Sequence, residues 1–134
     1  MDRRSFLKTS ALAGASLGLL PTFARAQNVN ARVRGANEDI RVAVVGFGGR
    51  GKDHIGGFSE LSGVRLVALC DVDKHILERE AKNRADAGKP VQSYTDIRRL
   101  LENKDIDVVS IATPNHWHSL AAIWAMQAGK DVYL

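Results

Sequence analysis

The sequence predicts an α/β protein built on a doubly wound parallel sheet. The first four to five strands of that sheet are expected here, preceded by an export leader. Three observations carry the expectation. From Ile40 onward, short continuous apolar runs alternate with longer helix-compatible segments, the pattern of strands covered on both faces by crossover helices. The first of these runs ends in a glycine-rich loop, "VVGFGGRG". The opening 26 residues have a basic head, a diluted apolar stretch and a small-x-small end, as cleavable leaders do.

Composition sets the outer limits. A chain of 134 residues has a one-domain length, and 45% hydrophobic with 25% charged residues is the balance of a soluble globular protein. The net charge of +4 is unevenly spread: Arg3, Arg4, Lys8 and Arg25 against Asp2 put +3 into residues 1–26, leaving +1 for the rest. No Lys/Arg cluster is interleaved with aromatics, so nucleic acid is not an expected partner. Cys70 is the only cysteine, which excludes an internal disulfide.

In chain order, Met1–Lys8 is a basic region and Thr9–Leu20 an apolar run diluted by Gly14, Gly18 and two serines. Ala24-Arg25-Ala26 then offers a cleavage site with Gln27 as the new N-terminus. A run of that length falls short of the roughly 20 residues a membrane span needs. No cysteine follows it to carry a lipid, so a stable membrane anchor is not expected. Arg3-Arg4-Ser5-Phe6-Leu7-Lys8 resembles the twin-arginine export signal, Arg-Arg-x-Phe-Leu-Lys. The alternative is an ordinary secretory signal that happens to hold two arginines. The resemblance implies a bacterial protein exported already folded, with the twin-arginine machinery as partner and the periplasm or another exported location as destination. Residues 27–38 read as a flexible linker, and 39–134 as the folded domain.

Within that domain "IRVAVVG", "VRLVALCD" (Val64–Asp71), "DVVSIAT" (Asp107–Thr113) and "DVYL" (Asp131–Leu134) are the expected strands, with "VQSY" (Val91–Tyr94) a short addition. The helices expected between them are Arg50–Leu61, weakened by Gly56-Gly57, and Lys74–Ala87, capped by Asp73 and stopped by Gly88. Asp96–Asn103 has Thr95 as its expected cap, and His116–Ala128 has Asn115, with Gly129 ending it. Trp117, Leu120, Ile123 and Trp124 recur at helical spacing and read as core. His54 and His75 have no evident partners and read as surface residues, and Gly56-Gly57 as packing residues without chemistry.

The glycine loop carries the first chemical signal. Gly46, Gly48 and Gly51 stand in the G-x-G-x-x-G order of a Rossmann-type dinucleotide loop, after a strand and before a helix. Gly46 permits the tight turn, Gly48 lets the backbone approach a diphosphate, and Gly51 allows close helix–strand packing. Unpaired N–H groups at the helix start then face the phosphates. Phe47, Gly49 and Arg50 complete the cofactor-binding loop, with Gly49 a tolerant position. Asp71 follows Gly51 by 20 residues, where a carboxylate can accept from both adenosine-ribose hydroxyls. Its charge opposes a 2′-phosphate, which favours NAD over NADP, although Arg50, Lys52 and Lys74 leave NADP open.

"IATPNHWHSLAAIWAMQAGK" follows the third long strand. In a doubly wound sheet, ligands sit beyond the carboxyl ends of strands, which is where Thr113, Pro114, Asn115 and His116 fall. His116 and His118 occupy the first helical turn, where they can donate to or accept from a bound ring, or serve only as capping or surface groups. As metal ligands they are disfavoured: positions two apart diverge by about 200° on a helix, and no nearby Cys or carboxylate completes a set.

Taken together, "VAVVGFGGRG", "ALCDVD" and "SIATPNHWHSLAAIWAMQAGKDVYL" resemble the glucose–fructose oxidoreductase/inositol dehydrogenase (Gfo/Idh/MocA) family over about residues 40–134. The resemblance implies a Rossmann domain holding NAD(P), followed by an α/β domain holding a sugar or polyol, and hydride transfer between a carbinol carbon and the nicotinamide. Carried over, Gly46, Gly48 and Gly51 match the diphosphate loop and Asp71 the ribose acid. Thr113, Pro114, Asn115 and His118 match the loop passing the nicotinamide side. In the family the strand begun by "KDVYL" continues into Glu-Lys-Pro, whose lysine is catalytic. That position would follow Leu134, so the catalytic residues are unknown from this sequence and a fragment of a longer enzyme is expected. Three functions are carried forward: an exported NAD(P)-dependent oxidoreductase of sugars or polyols, compatible with a homo-oligomer when complete; an NAD-dependent glycosidase acting by transient oxidation and elimination; and a non-catalytic nucleotide-binding or interaction module.

Overall fold

The computed structural model describes residues 38–134. The leader at 1–26 and, apart from Glu38, the linker at 27–38 lie outside the described residues.

Five strands form one parallel sheet: β1 (Ile40–Val45), β2 (Val64–Cys70), β3 (Gln92–Tyr94), β4 (Val108–Ile111) and β5 (Asp131–Tyr133). Their order is β3-β2-β1-β4-β5, so the winding reverses at β1. Four helices connect them: α1 (Gly51–Glu60), α2 (Lys74–Asp86), α3 (Ile97–Leu101) and α4 (Asn115–Gln127). The apolar runs are continuous because the sheet is covered twice. On β1, Ala43 and Val45 belong to one core with β4 residues Val109 and Ile111 and the α4 alanines Ala121, Ala122 and Ala125. Val44 belongs to the other, with Phe47, Ile55, Leu69 and Leu77 beneath α1 and α2.

Several helix ends follow from local chemistry. Asp73 caps α2 by accepting from the N–H groups of His75 and Ile76. Gly88 and Gly129 follow α2 and α4 at φ +71° and +73°, the left-handed conformation that glycine adopts most cheaply after a helix. Two expected caps are corrected. Asp96, not Thr95, caps α3, because its carboxylate also accepts from the Arg98 N–H; that helix is shorter than expected. For α4, Pro114 occupies the cap position and Asn115 is already helical, so no side chain caps it.

The core expected on α4 is corrected as well. Trp117, Leu120 and Ile123 are 45%, 40% and 47% exposed, and Trp124 is only half-buried. Small residues face the sheet instead: Ala121, Ala122 and Ala125 let the helix axis approach β4, and the bulky side chains are left on the opposite flank. Spacing alone did not distinguish these faces, since both repeat at three and four residues. Gly56 and Gly57 are not packing residues, because a Cβ at either would meet nothing within 4 Å. His75 is exposed, but His54 is partly covered and has partners on the sheet: its Nδ1 lies 2.8 Å from Ser110 Oγ on β4.

At the opposite end of the strands, Arg41 donates through Nε and Nη2 to Asp107 at 3.0 Å each and through Nη1 to Asp105 at 2.8 Å. Buried Lys130 donates to the carbonyls of Asn103 (2.7 Å) and Ile106 (2.9 Å). These contacts fasten strand starts far from the glycine loop.

Candidate cofactor site

The winding reversal at β1 opens a crevice between the carboxyl ends of β1 and β4, where open α/β sheets receive ligands. Gly46 leaves β1 at φ +78°, and a Cβ there would lie 2.8 Å from Thr113 Cγ2. At Gly51 a Cβ would collide with the Gly46 carbonyl oxygen and sit 2.9 Å from Phe47 Cβ. These two glycines are therefore required by the protein's own packing. Gly48 is different: the nearest protein atom to its notional Cβ is Ile76 Cδ1 at 3.7 Å, an ordinary contact. Its bare backbone is not crowded by the protein's own atoms and lines the cleft, which suits the close approach of a ligand. At Gly49 nothing lies within 4 Å, consistent with a tolerant position.

The loop is held in place from below. Phe47 is fully buried and anchors the loop in the core, while its N–H donates to Asp71 Oδ2 at 2.9 Å. The Asp73 N–H donates to Asp71 Oδ1 at 3.0 Å. Each carboxylate oxygen thus carries one backbone hydrogen bond and keeps acceptor capacity for another. Two backbone donors aim the carboxylate toward the cleft. Meanwhile the N–H groups of Gly48, Gly49 and Arg50 donate to nothing among the described residues, directly before the uncapped start of α1. That is an anion-binding arrangement.

A cleft of about 920 Å³ runs over this loop. Of the residues expected from sequence, it brings together Gly46, Gly48, Gly49, Arg50, Asp71, Thr113, Pro114 and His116. Phe47 and Gly51 lie beneath it, and Asn115 and His118 are not in its walls. The His118 Nε2 instead donates to the Thr113 carbonyl at 2.6 Å, pinning the loop that follows β4. Thr113 Oγ1 is buried and without a hydrogen-bond partner. A hydroxyl left so beside a ligand cleft fits a polar group arriving there.

Sequence reasoning missed the far wall: Val72, the start of α3 from Thr95 to Arg98, and Trp117, Ala121 and Trp124 of α4. The two tryptophans, seven residues apart, are a readable signal, but helical spacing alone reads them as core. Flat aromatic and apolar surfaces in the cleft wall suit a heteroaromatic ring. On the same wall Arg98 grips Asp96, with Nη2 to Oδ2 at 2.6 Å and Nε to Oδ1 at 3.0 Å. Those hydrogen bonds hold the Asp96 carboxyl down at about 2. Arg50 is likewise paired, 3.0 Å from Asp53. Both cationic side chains of the cleft therefore have carboxylates of their own. Cys70 lies in the floor, where burial and then the neighbouring Asp71 push its thiol up to about 12, so it stays protonated and unreactive at neutral pH. Among the described residues no three His, Cys, Asp or Glu side chains gather as a metal site.

The comparisons agree with this geometry. The model of the Gfo/Idh/MocA oxidoreductases, described as an NAD-binding Rossmann fold, matches residues 40–134. A glycosyl hydrolase family 109 protein of Saccharopolyspora erythraea is 37% identical over 98% of this chain and 32% of its own length. A second such protein, from Shewanella sp. strain ANA-3, is 34% identical over 99% of this chain and 33% of its own length. The chain thus spans about a third of the length of these relatives. Among solved structures, scyllo-inositol dehydrogenase from Lactobacillus casei with bound NAD(H) and scyllo-inositol superposes with a TM-score of 0.64 at 26% identity, over 71% of this chain and 27% of that one. The WlbA dehydrogenase of Bordetella pertussis, in complex with NADH and UDP-GlcNAcA, superposes at 0.62 and 29% identity, over 71% of this chain and 28% of that one.

Proposed function

The chain belongs to the Gfo/Idh/MocA oxidoreductase family, whose NAD-binding Rossmann domain occupies residues 40–134, and from that premise we propose that the whole protein is an exported NAD-dependent oxidoreductase acting on a hydroxyl carbon of a sugar or polyol. The observation that carries the cofactor half is the cleft itself, where Asp71 is aimed by two backbone N–H groups beside a bare, donor-rich glycine loop. Asp71 would hold the adenosine ribose, and Gly48, Gly49 and Arg50 would hold the diphosphate. With Arg50 and Arg98 each engaged by a carboxylate, the cleft favours NAD over NADP.

When bound, NAD supplies the hydride acceptor. In the forward direction a substrate C–H bond would break with its electron pair leaving as hydride, and the hydroxyl proton would pass to a base, leaving a carbonyl. The part played by residues 38–134 is to bind and orient: His118 fixes the Thr113 carbonyl, and the buried Thr113 hydroxyl offers a donor or acceptor at the end of β4. Asn115 and His118 are assigned to the nicotinamide side on the family pattern. Support for a polyol or sugar substrate comes from the solved neighbours, which hold scyllo-inositol and UDP-GlcNAcA.

A second reading has its own support, since the relatives matching nearly the whole chain carry a glycosyl hydrolase name. An NAD-dependent glycosidase would begin with the same hydride removal and return the hydride after elimination. Titrating the complete gene product with NADH should quench tryptophan emission, because Trp117 and Trp124 both line the cleft. A flat titration would overturn the cofactor assignment. Accumulation of NADH with a polyol or sugar identifies the oxidoreductase, and glycoside cleavage with no net change in NAD identifies the glycosidase.

A further inference from the structure

The sequence left His54 without a role, but its surroundings are specific. It stands one turn into α1, the helix whose start faces the diphosphate. Its Nδ1 lies 2.8 Å from the hydroxyl of Ser110, a fully buried polar side chain in the middle of β4. Sheet register places Ser110 beside Val44 of β1 on one side and Tyr133 of β5 on the other. The His54 ring lies across this row: its centroid is 5.4 Å from that of Tyr133, at 67°, and 6.4 Å from that of Phe58, at 84°. Phe58 and Tyr133 also meet edge to face at 6.0 Å. One imidazole thus joins α1 to both β4 and β5.

Those two strands have a distinct place in the site. The ribose acid Asp71 follows β2, so the adenosine half of a dinucleotide lies on the β2 side of β1. The other half would lie across the end of β4, reached through the Thr113 loop three residues beyond Ser110. Close packing of Gly51 against the Gly46 carbonyl fixes α1 relative to β1. The β1–β4 and β4–β5 pairings carry that placement across the sheet, and His54 adds a direct side-chain tie from α1 to β4 and β5. Ser110 is a buried serine, and among the described residues its hydroxyl hydrogen-bonds only to this ring.

The geometry points to His54 as a positioning residue for the nicotinamide half of the cofactor, acting through Ser110 and Tyr133 to hold the diphosphate helix in register with β4 and β5. The inference rests on the cofactor reading above. Since a serine hydroxyl both donates and accepts, the contact holds with either imidazole tautomer.

The test compares NADH with AMP, which occupies only the Asp71 side, by equilibrium titration of the complete gene product. Ser110→Ala and His54→Ala should each weaken NADH about tenfold, the effect of one buried hydrogen bond lost with its partner stranded, while AMP changes by less than about twofold. The double variant should be no weaker than either single one, as coupled residues require. His54→Asn, whose amide reaches the Nδ1 position, should recover most of the NADH affinity; it also completes the comparison with Ser110→Ala should His54→Ala fail to fold. Unchanged NADH binding in the single variants, parallel loss of AMP, or multiplying effects in the double variant would each overturn the assignment. Wild-type protein that binds neither nucleotide would overturn the cofactor reading and this inference with it.

Discussion

At the scale of single residues, the glycine loop separates two kinds of requirement that the motif presents as one. Gly51 is needed by the fold: a methyl group there runs into the Gly46 carbonyl and Phe47 Cβ, both backbone-anchored and unable to yield. Gly51→Ala should therefore destabilise the protein by about 3 kcal/mol. Gly49→Ala, with open space around it, should change stability by no more than about 0.5 kcal/mol. Denaturant melts of the two variants decide the matter, and equal losses would refute the packing account. The sequence showed the three motif glycines and Asp71 because those positions depend on local backbone geometry and fixed spacing. It could not show that Phe47 is a buried anchor donating to Asp71, or that His54 meets Ser110, since these contacts join residues 24 and 56 positions apart.

Elements were legible where period and punctuation agree. The strands and the larger helices fall within a residue or two of their expected bounds, because continuous apolar runs and glycine stops report local physics. The sidedness of α4 was not legible, because its sheet-facing stripe is alanine and its outward stripe contains the tryptophans. The lysine after that helix was not singled out either, yet it joins two connections. Lys130 closes the end of α4 onto the α3–β4 loop by donating to the carbonyls of Asn103 and Ile106. Replacing it with methionine keeps the bulk and strands both acceptors, so Lys130→Met should cost about 2 kcal/mol at neutral pH. The pH dependence has a definite sign. Burial lowers the ammonium's pKa in the folded state below its usual 10.5, so between the two values the unfolded chain binds more protons. Wild-type stability should then gain a rising contribution as pH climbs toward 10.5, one that the methionine variant lacks. Parallel stability–pH curves for the two proteins would refute the assignment.

For the whole molecule, the proposed export leader and the cofactor cleft constrain each other. Nicotinamide dinucleotide is made and maintained inside the cell, so an exported protein that depends on it must acquire it before crossing the membrane. A chain threaded unfolded would lose both the Asp71 contact and the loop geometry, which exist only once β1, β2 and α1 are assembled. Arg3-Arg4-Ser5-Phe6-Leu7-Lys8 matches the signal of a route that accepts folded cargo, and +3 of the charge lies in that leader. The proposed export route for folded proteins is compatible with a site built from non-local contacts. Replacing Arg3 and Arg4 together with lysine preserves that charge and alters only the recognised pair. The variant should accumulate in the cytoplasm as a folded protein with NAD bound, seen by cell fractionation and by nucleotide release on denaturation. Export at the wild-type level would show that ordinary positive charge suffices, and the claim that the protein crosses folded around its cofactor would fall.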